Sequence, residues 1–190
     1  MRYQKGQRAE THRHIIDVAA QRFRQDGIAA AGIAGLMTDA GLTNGAFYTH
    51  FESKEDLVRQ TLDAMRENSG GATAQAIREG MPPEGWLRRY LSPSHRDNPG
   101  RGCVAAALSA EIARHPEATR DVFRAACEQF VGLIADSLPA ETPQARRTTA
   151  QALYGLMIGT LQLARAIGPG PASDAILENG VQAGLLLIAA

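Results

Sequence analysis

Apolar residues recur at helical spacing along almost the whole chain. Near the amino terminus, Ile15, Val18, Ala19 and Phe23 share one face of a helix that Gly27 ends. A second regular stripe of apolar residues predicts a long helix over 117–138. Alternating apolar runs bounded by turn residues, which would indicate strands, are missing. The pattern therefore predicts an all-α protein.

The spacing of helix breakers divides the chain into two parts. Residues 1–52 are predicted to form a three-helix unit, in which helices over 33–40 and 44–50 flank a turn that begins at Gly41. Residues 53–190 are predicted to form a larger helical domain. It contains a polar loop, Ser92 to Gly102, and helices near 83–91, 103–114, 117–138, 143–167 and after Pro171.

Two helix starts in the first part carry recognisable caps. Thr43 can cap the third helix, and Ser53 with Asp56 three residues later forms an Asp variant of the capping box. The Ser53 cap predicts a charged helix immediately after the aromatic run that ends at Phe51.

Charge and cysteine content narrow the class of protein. Lys and Arg number 20, as do Asp and Glu, but residues 1–24 are basic, with Arg2, Lys5 and Arg8 at the very start. Two cysteines do not make a disulfide framework, and no apolar segment follows the basic start. We expect a soluble protein of a reducing compartment, the cytoplasm, with no membrane partner.

The stretch GLTNGAFYTHFESKEDL from Gly41 to Leu57 favours contact with DNA. Two short helices joined by a Gly-containing turn form a helix-turn-helix, whose second helix enters the major groove. Phe47 and Phe51 can anchor this helix while Tyr48 projects outward. The same shape also occurs in helical proteins that never touch DNA, so geometry alone leaves both interpretations open.

Residues 10–57 resemble the DNA-binding domain of TetR/AcrR-type transcriptional regulators. The resemblance rests on Phe23 and Gly27, on the turn from Ala40 to Gly45, and on the runs from Phe47 to Phe51 and from Glu52 to Leu57. It implies an all-helical homodimer that binds a palindromic DNA operator, most often as a repressor and at the nucleoid when bound. It also implies a variable carboxy-terminal domain that binds a small-molecule inducer.

The resemblance assigns the DNA-contacting residues position by position. It implies phosphate contacts for Thr43, Tyr48, His50 and Lys54, and base-facing positions for Asn44, Gly45 and Thr49. From its charge, we expect the basic arm with Arg2, Lys5 and Arg8 to add affinity through phosphates or the minor groove. One departure stands out, because Ala31 and Gly32 replace the hydroxyl pair that usually caps the second helix. We therefore expect recognition to rest mainly on the third helix.

An apolar cavity with a few polar groups is expected in the second domain, and each candidate could equally be core. The candidates are Trp86, Tyr90, Cys103, Phe123, Cys127, Phe130 and Tyr154. Cys103 follows a Gly-rich loop and Arg101, a setting that favours a reactive thiol. The alternative function is therefore a redox- or electrophile-sensing repressor, and the plain alternative is a packed thiol.

Two pairs of glycines are candidates for close helix contacts between two copies of the chain. Gly155 and Gly159, and also Gly180 and Gly184, lie four residues apart and allow either dimerisation or packing within the chain.

No HExxH, CxxC or nucleophile-elbow motif is present, so we expect no enzyme, metal or cofactor. A protein-binding scaffold is the other rival, but it leaves Tyr48, His50 and Lys54 unexplained.

Overall fold

The structure, a computed structural model, describes residues 5–67, 71–139 and 142–189, and this part of the chain is helical without any strand. The predicted all-α class is confirmed. The α-helices are α1 Lys5–Asp26, α2 Ile33–Asp39, α3 Lys54–Glu67, α4 Gly71–Arg78, α5 Pro83–Tyr90, α6 Pro93–Asp97, α7 Val104–Ile112, α8 Glu117–Asp136, α9 Pro143–Ile167 and α10 Pro171–Ala189, with 3₁₀ helices at Asn44–Thr49 and Pro99–Arg101.

Glycine ends the first helix for two separate reasons. Gly27 has φ +89°, a left-handed conformation that side chains with a Cβ rarely adopt. A Cβ at this position would also lie 2.5 Å from the Oε1 atom of Glu111 on α7. The turn between α1 and α2 therefore packs directly against a helix of the second domain.

The predicted capping box at the start of α3 is confirmed. The Asp56 backbone N–H donates to Ser53 Oγ at 3.1 Å, and the Glu52 N–H donates to Asp56 Oδ2 at 3.2 Å. Burial raises the pKa of the Asp56 carboxyl, but hydrogen bonds from Gln60 and the Glu52 backbone outweigh it and hold that pKa below its usual value. The cap thus fixes the direction in which the chain leaves the three-helix unit.

A first hydrophobic core lies among α1, α2, the 3₁₀ helix Asn44–Thr49 and α3. Phe23, Phe47 and Phe51 are buried there, as the sequence predicts. The same core includes Leu108 and Ile112 of α7. The amino-terminal unit therefore completes its core with residues far along the chain, and the domain boundary between residues 52 and 53 stays a prediction.

The second core is centred on Trp86, Leu87 and Met157, and joins α5 to α8, α9 and α10. The prediction of a plain polar loop from Ser92 to Gly102 is wrong, because this segment forms α6 and a 3₁₀ helix. Ser92 Oγ accepts from the His95 backbone N–H at 3.2 Å, and Pro93 occupies the first helical position. Together they start a helix of one turn.

None of the helices in the described ranges is long and apolar enough to cross a membrane.

Candidate nucleic-acid interface and effector cavity

The 3₁₀ helix Asn44–Thr49 presents its polar and small residues to solvent. Phe47 on the opposite side is fully buried, and its ring meets the Tyr48 ring edge-on at 5.2 Å. Tyr48 itself is 69% exposed, an unusual degree of exposure for a large aromatic side chain. The exposed residues of the segment are Thr43, Asn44, Gly45, Tyr48 and Thr49.

Gly45 and Thr43 make few contacts with the rest of the described chain. A Cβ at Gly45 would meet nothing within 4 Å, so no packing within the described part of the protein requires a glycine there. Thr43 is the residue before the 3₁₀ helix, but its hydroxyl makes no capping hydrogen bond. Both features leave room and a free hydroxyl for a molecule that approaches this surface.

Arg8 and Thr49, two predicted DNA contacts, are joined by a hydrogen bond. The Arg8 guanidinium donates to the Thr49 carbonyl at 2.6 Å, and the Thr49 hydroxyl donates to the Ala46 carbonyl at 2.7 Å. Arg8 lies within α1 and thereby fixes the end of the 3₁₀ helix. Lys5 is the first residue of α1, and the prediction for Arg2 falls outside the described residues.

His50 lies at the edge of this surface, with one ring nitrogen shielded. Its Nδ1 is buried and has no hydrogen-bond partner in the described part of the chain. Burial lowers the pKa of His50, and the neighbouring His12 and Arg8 lower it further. His12 stacks on the Phe51 ring at 4.6 Å, so the pair of histidines covers the first core.

Lys54 joins two elements of the amino-terminal unit. Its Nζ donates to the Ile28 carbonyl at 2.5 Å and reaches the Ala29 carbonyl at 3.5 Å. The ammonium group has three donors, so these contacts do not exhaust it. The predicted phosphate contact of Lys54 stays a prediction, beside a structural role that the sequence does not reveal.

The start of α2 has the plain cap that the sequence indicates. Gly32 precedes the helix without any side-chain capping bond, and Ala31 is buried in the first core. Ala34 and Gly35 are exposed, so the outer side of the first turn of α2 presents no functional group.

A cavity of about 770 Å³ lies between α1 and the second domain, within the usual range of small-molecule sites. Six of the seven predicted ligand residues line it. The exception is Trp86, which is fully buried in the second core and faces other side chains instead. The six are Tyr90, Cys103, Phe123, Cys127, Phe130 and Tyr154.

Two phenols and two thiols meet in the cavity wall. Cys103 Sγ lies 3.6 Å from the Tyr154 hydroxyl. Burial raises the pKa of Tyr154 and of Tyr90 well above the usual value, and the nearby Cys103 adds to both shifts. Burial likewise raises the pKa of Cys127 to about 11. Tyr90, Tyr154 and Cys127 are therefore neutral hydrogen-bonding partners at neutral pH.

His95 fixes the backbone at Cys103, and its hydrogen bonds determine its tautomer. The Cys103 backbone N–H donates to His95 Nε2 at 2.9 Å, so this nitrogen must be unprotonated. Nδ1 then carries the hydrogen and donates it to the Tyr90 carbonyl at 2.7 Å. Burial lowers the pKa of His95, and Arg165 lowers it further against the effect of the Tyr90 bond. The ring is consequently neutral.

The alternative function of a thiol sensor at Cys103 is not favoured. Cys103 is the residue before α7, its thiol lies partly buried in the cavity wall, and Arg101 is exposed. In this position the thiol serves the shape of the cavity and the contact with Tyr154.

The cavity wall also contains arginines that the sequence does not identify as ligand-binding residues. They come from α1, α3, α4, α5 and the 3₁₀ helix Pro99–Arg101, so only the folded chain brings them together. Among the described residues that line the cavity, the arginines are Arg24, Arg66, Arg78, Arg89 and Arg101, against one carboxylate, Asp17.

The four glycines predicted at close helix contacts fall into two groups. A Cβ at Gly180 would lie 2.5 Å from Thr160 Cγ2, and one at Gly184 would lie 3.2 Å from Leu87 Cδ1. Gly180 and Gly184 therefore serve packing within the chain. Gly155 and Gly159 are exposed on α9, and no described atom would lie within 4 Å of a Cβ at either.

Residues 15–61, which include the exposed 3₁₀ helix and the core beneath it, match the family model of the bacterial regulatory proteins of the tetR family. This segment is therefore a TetR-family DNA-binding domain. The resemblance of the chain to this family is thereby confirmed, and curated relatives are named as transcriptional regulators.

Three relatives illustrate the extent of the likeness. TtgR, a transcriptional regulator of Pseudomonas putida, is 34% identical over 92 residues, which cover 48% of this chain and 44% of TtgR. DhaR, a transcriptional repressor of Mycobacterium sp., is 24% identical over 125 residues, 65% of this chain and 63% of DhaR. The reduced form of NemR from Escherichia coli has a TM-score of 0.73 and 23% identity, over 92% of this chain and 95% of NemR.

The two kinds of likeness differ in how much of the chain they cover. The sequence match spans less than two thirds of the length of TtgR and DhaR, and the family match covers the helix-turn-helix. The structural likeness extends over both domains, and at this identity it shows the fold alone.

Proposed function

We propose that the protein is a sequence-specific DNA-binding transcriptional regulator, most simply a repressor of the genes beside its operator. The observation that carries this proposal is the exposed 3₁₀ helix Asn44–Thr49, where Tyr48 is 69% exposed and Gly45 faces open space. Exposed aromatic and polar groups above a buried Phe47 suit insertion into a major groove. The name of DhaR supports repression as the direction of control.

The contacts divide between the DNA backbone and the bases. Thr43, Tyr48 and His50 are proposed to meet phosphates, while Asn44, Gly45 and Thr49 face base edges. The Lys54 ammonium has three N–H donors, and two of them contact backbone carbonyls. The third is proposed to donate to a phosphate. With Ala34 and Gly35 on the outer side of α2, most specificity falls to the 3₁₀ helix.

The cavity is proposed to bind a small-molecule effector that releases the protein from DNA. Ile16, Asp17, Ala20 and Arg24 of α1 contribute to its lining, so an occupant touches the amino-terminal unit directly. A ligand that prefers one position of α1 shifts the protein toward that position. Release follows when the preferred position does not fit the operator.

A homodimer is proposed to form through α9 and α10. Gly155 and Gly159 leave the surface of α9 flat, and Leu163 and Ile167 on the same helix are each about half exposed, at 53% and 52%. Leu186 of α10 is 73% exposed. A two-fold dimer matches an operator with two half-sites. We further propose that the dimer acts in the cytoplasm, at the nucleoid when bound.

Gel-shift titration of the purified protein with the DNA upstream of its own gene, at low salt and without effector, tests the proposal. We expect a discrete complex whose affinity falls steeply with salt. Gly45→Gln places a side chain on the open surface and holds the 3₁₀ helix away from the groove, which should weaken the complex at least about tenfold, since each neighbouring base contact that is lost costs about 1 to 3 kcal/mol. Ala125→Gln, on the exposed side of α8, is the matched control.

Selection of bound fragments from the source genome then identifies the operator and its neighbouring genes. Failure to retain any fragment, with the folded dimer verified, would exclude DNA-binding regulation and leave the scaffold interpretation. Equal weakening by Gly45→Gln and Ala125→Gln would remove the 3₁₀ helix from the interface.

A further inference from the structure

The cavity wall carries an excess of positive charge. Among its described residues, the cavity is lined by arginines from five different elements and by one carboxylate, Asp17, and of these arginines Arg66 is paired with Asp63 outside the lining. His95, which also lines the cavity, is neutral, because its Nε2 accepts from Cys103 N–H and its Nδ1 donates to the Tyr90 carbonyl. The lining therefore attracts a negatively charged occupant and repels a cation.

Two of these arginines remain available for a ligand. Arg66 is paired with Asp63 at 2.7 Å, and Arg24 donates to the Gly100 carbonyl at 2.7 Å. Arg89 and Arg101 are exposed while they line the cavity, and neither guanidinium has a carboxylate partner in the described part of the chain. Each guanidinium is therefore free to bind an acidic group with two parallel hydrogen bonds.

Another part of the cavity wall is apolar. Phe123, Phe130 and Leu133 supply apolar surface, and Tyr154 packs against Phe130 with ring centres 5.0 Å apart. Tyr90 also lines the cavity, and its hydroxyl is buried without a hydrogen-bond partner among the described residues. An apolar, ring-containing body with a hydrogen-bond acceptor fits this surface.

We propose that the effector is an organic anion with an apolar ring-containing body, whose acidic group binds Arg89 and Arg101. The body lies against Phe123, Phe130 and Tyr154. This inference rests on the proposed effector function of the cavity and assigns its ligand class. A neutral hydrophobe would leave both guanidinium groups unused, and a cationic amphiphile would meet the net positive wall.

Two fluorescent probes that share one skeleton test the assignment. 1-Anilinonaphthalene-8-sulfonate carries a sulfonate, whereas N-phenyl-1-naphthylamine is the same ring system without it. We expect the sulfonate to bind the native dimer more tightly, and its affinity to fall with salt. In the double variant Arg89→Gln/Arg101→Gln, affinity for the sulfonate should drop about tenfold or more, since charge-assisted pairs are lost. Affinity for the neutral probe should change less than about twofold.

Two further variants locate the probes and the effect. Arg147→Gln removes a charge from an exposed site on α9 outside the lining and should leave both affinities unchanged. Ala126→Trp, within the lining, should exclude both probes if they occupy the cavity. Circular dichroism and thermal unfolding of every variant confirm that the fold is intact.

The results separate this inference from the proposed function. Equal losses for both probes in the double variant, or an unchanged affinity for the sulfonate, would overturn the anionic assignment even if operator binding is intact. Loss of operator binding with a preserved preference for the sulfonate would overturn the regulatory function and leave an anion-binding cavity. Binding of both probes to Ala126→Trp at wild-type affinity would place them elsewhere and also refute the inference.

Discussion

The Arg24 guanidinium donates its Nε hydrogen to the Gly100 carbonyl at 2.7 Å and thereby joins α1 to the 3₁₀ helix before Cys103. The Gly100 N–H in turn donates to Gln25 Oε1 at 3.3 Å. Arg24 also lines the cavity, and burial lowers the pKa of its guanidinium. One side chain thus touches the cavity and links the two domains.

Arg24→Gln should lower the free energy of unfolding by about 1 to 2 kcal/mol, because a partly buried hydrogen bond from a charged group is lost. Urea denaturation measures the change. Arg22 on the same helix is the control, since its pairs with Asp26 and Asp39 are exposed to solvent. Arg22→Gln should cost less than about 1 kcal/mol. An equal loss of unfolding free energy in both variants would show that the hydrogen bond to Gly100 contributes no more than an exposed ion pair.

Glu55 makes a second link, from α3 to α8. Its carboxylate accepts from the Thr119 hydroxyl at 2.5 Å and contacts His115 Nδ1 at 3.0 Å. Burial raises the pKa of Glu55, but the bonds to Thr119 and His115 outweigh it and leave that pKa below its usual value. The ionised carboxylate therefore stabilises the folded state above the unfolded pKa, near about 4.3.

Glu55→Gln should destabilise the protein at pH 7 by about 1 kcal/mol. The difference from the wild type should shrink as the pH falls through the folded pKa, since the wild-type carboxylate is then protonated as well. Denaturation midpoints between pH 7 and pH 3 measure this. Glu52→Gln, on an exposed residue, is the control, and a difference that persists at low pH would contradict the prediction.

His95 should make the protein less stable in mild acid. Its folded pKa is lowered by burial, so the unfolded chain binds more protons below its own pKa of about 6.5. Stability is then lost as the pH falls below that value. His95→Gln should reduce this loss, although His50, whose pKa is also lowered, retains part of it. His14→Gln, the same replacement at an exposed histidine, is the control for the substitution itself.

Gly180 is required where α10 crosses α9. Its replacement by Ala places a Cβ 2.5 Å from Thr160 Cγ2 and should cost about 1 to 3 kcal/mol through overpacking. Gly132 lies in α8, where a Cβ would meet no described atom within 4 Å, so Gly132→Ala should stabilise by up to about 1 kcal/mol. Thermal unfolding of both variants measures the contrast. Opposite signs are expected, and a stabilised Gly180→Ala would refute the close contact.

Replacement of exposed leucines by arginine tests the proposed dimer face on α9 and α10. Leu163→Arg places a cation among the exposed apolar residues, and the dimer should dissociate at concentrations at which the wild type stays associated. Sedimentation velocity measures the mass. Leu186→Arg on α10 should act in the same direction, whereas Arg147→Ala, near the start of α9, should not. An unchanged mass in both arginine variants would place the dimer elsewhere.

Local patterns predict the helices well, because an amphipathic stripe and a cap each involve only a few neighbouring residues. The Ser53 cap with Asp56 is such a case, and so is the stripe in α8. The helix α6 also carries a local signal, Ser92 before Pro93, which the polar composition of that segment conceals. Helix content is thus largely a property of short segments.

Roles that depend on distant partners cannot be predicted in this way. The contact of Lys54 with the Ile28 carbonyl joins residues 26 positions apart, and Trp86 lies in the core although its type suits a cavity equally. The arginines of the cavity wall come from five separate elements and share no motif. Only their positions in the fold distinguish a ligand group from an ordinary surface charge.

Leu108 and Ile112 of α7 complete the core beneath the helix-turn-helix, and the Glu111 carboxylate accepts from the Ala29 backbone N–H at 2.9 Å. Chimeric regulators made by grafting residues 1–52 onto a foreign effector domain therefore inherit an unfinished hydrophobic face. Such grafts gain stability when the recipient's matching helix is changed to carry Leu, Ile and Glu in the same register. The proposed operator preference is thus exchangeable only together with part of α7, whose first residues line the cavity.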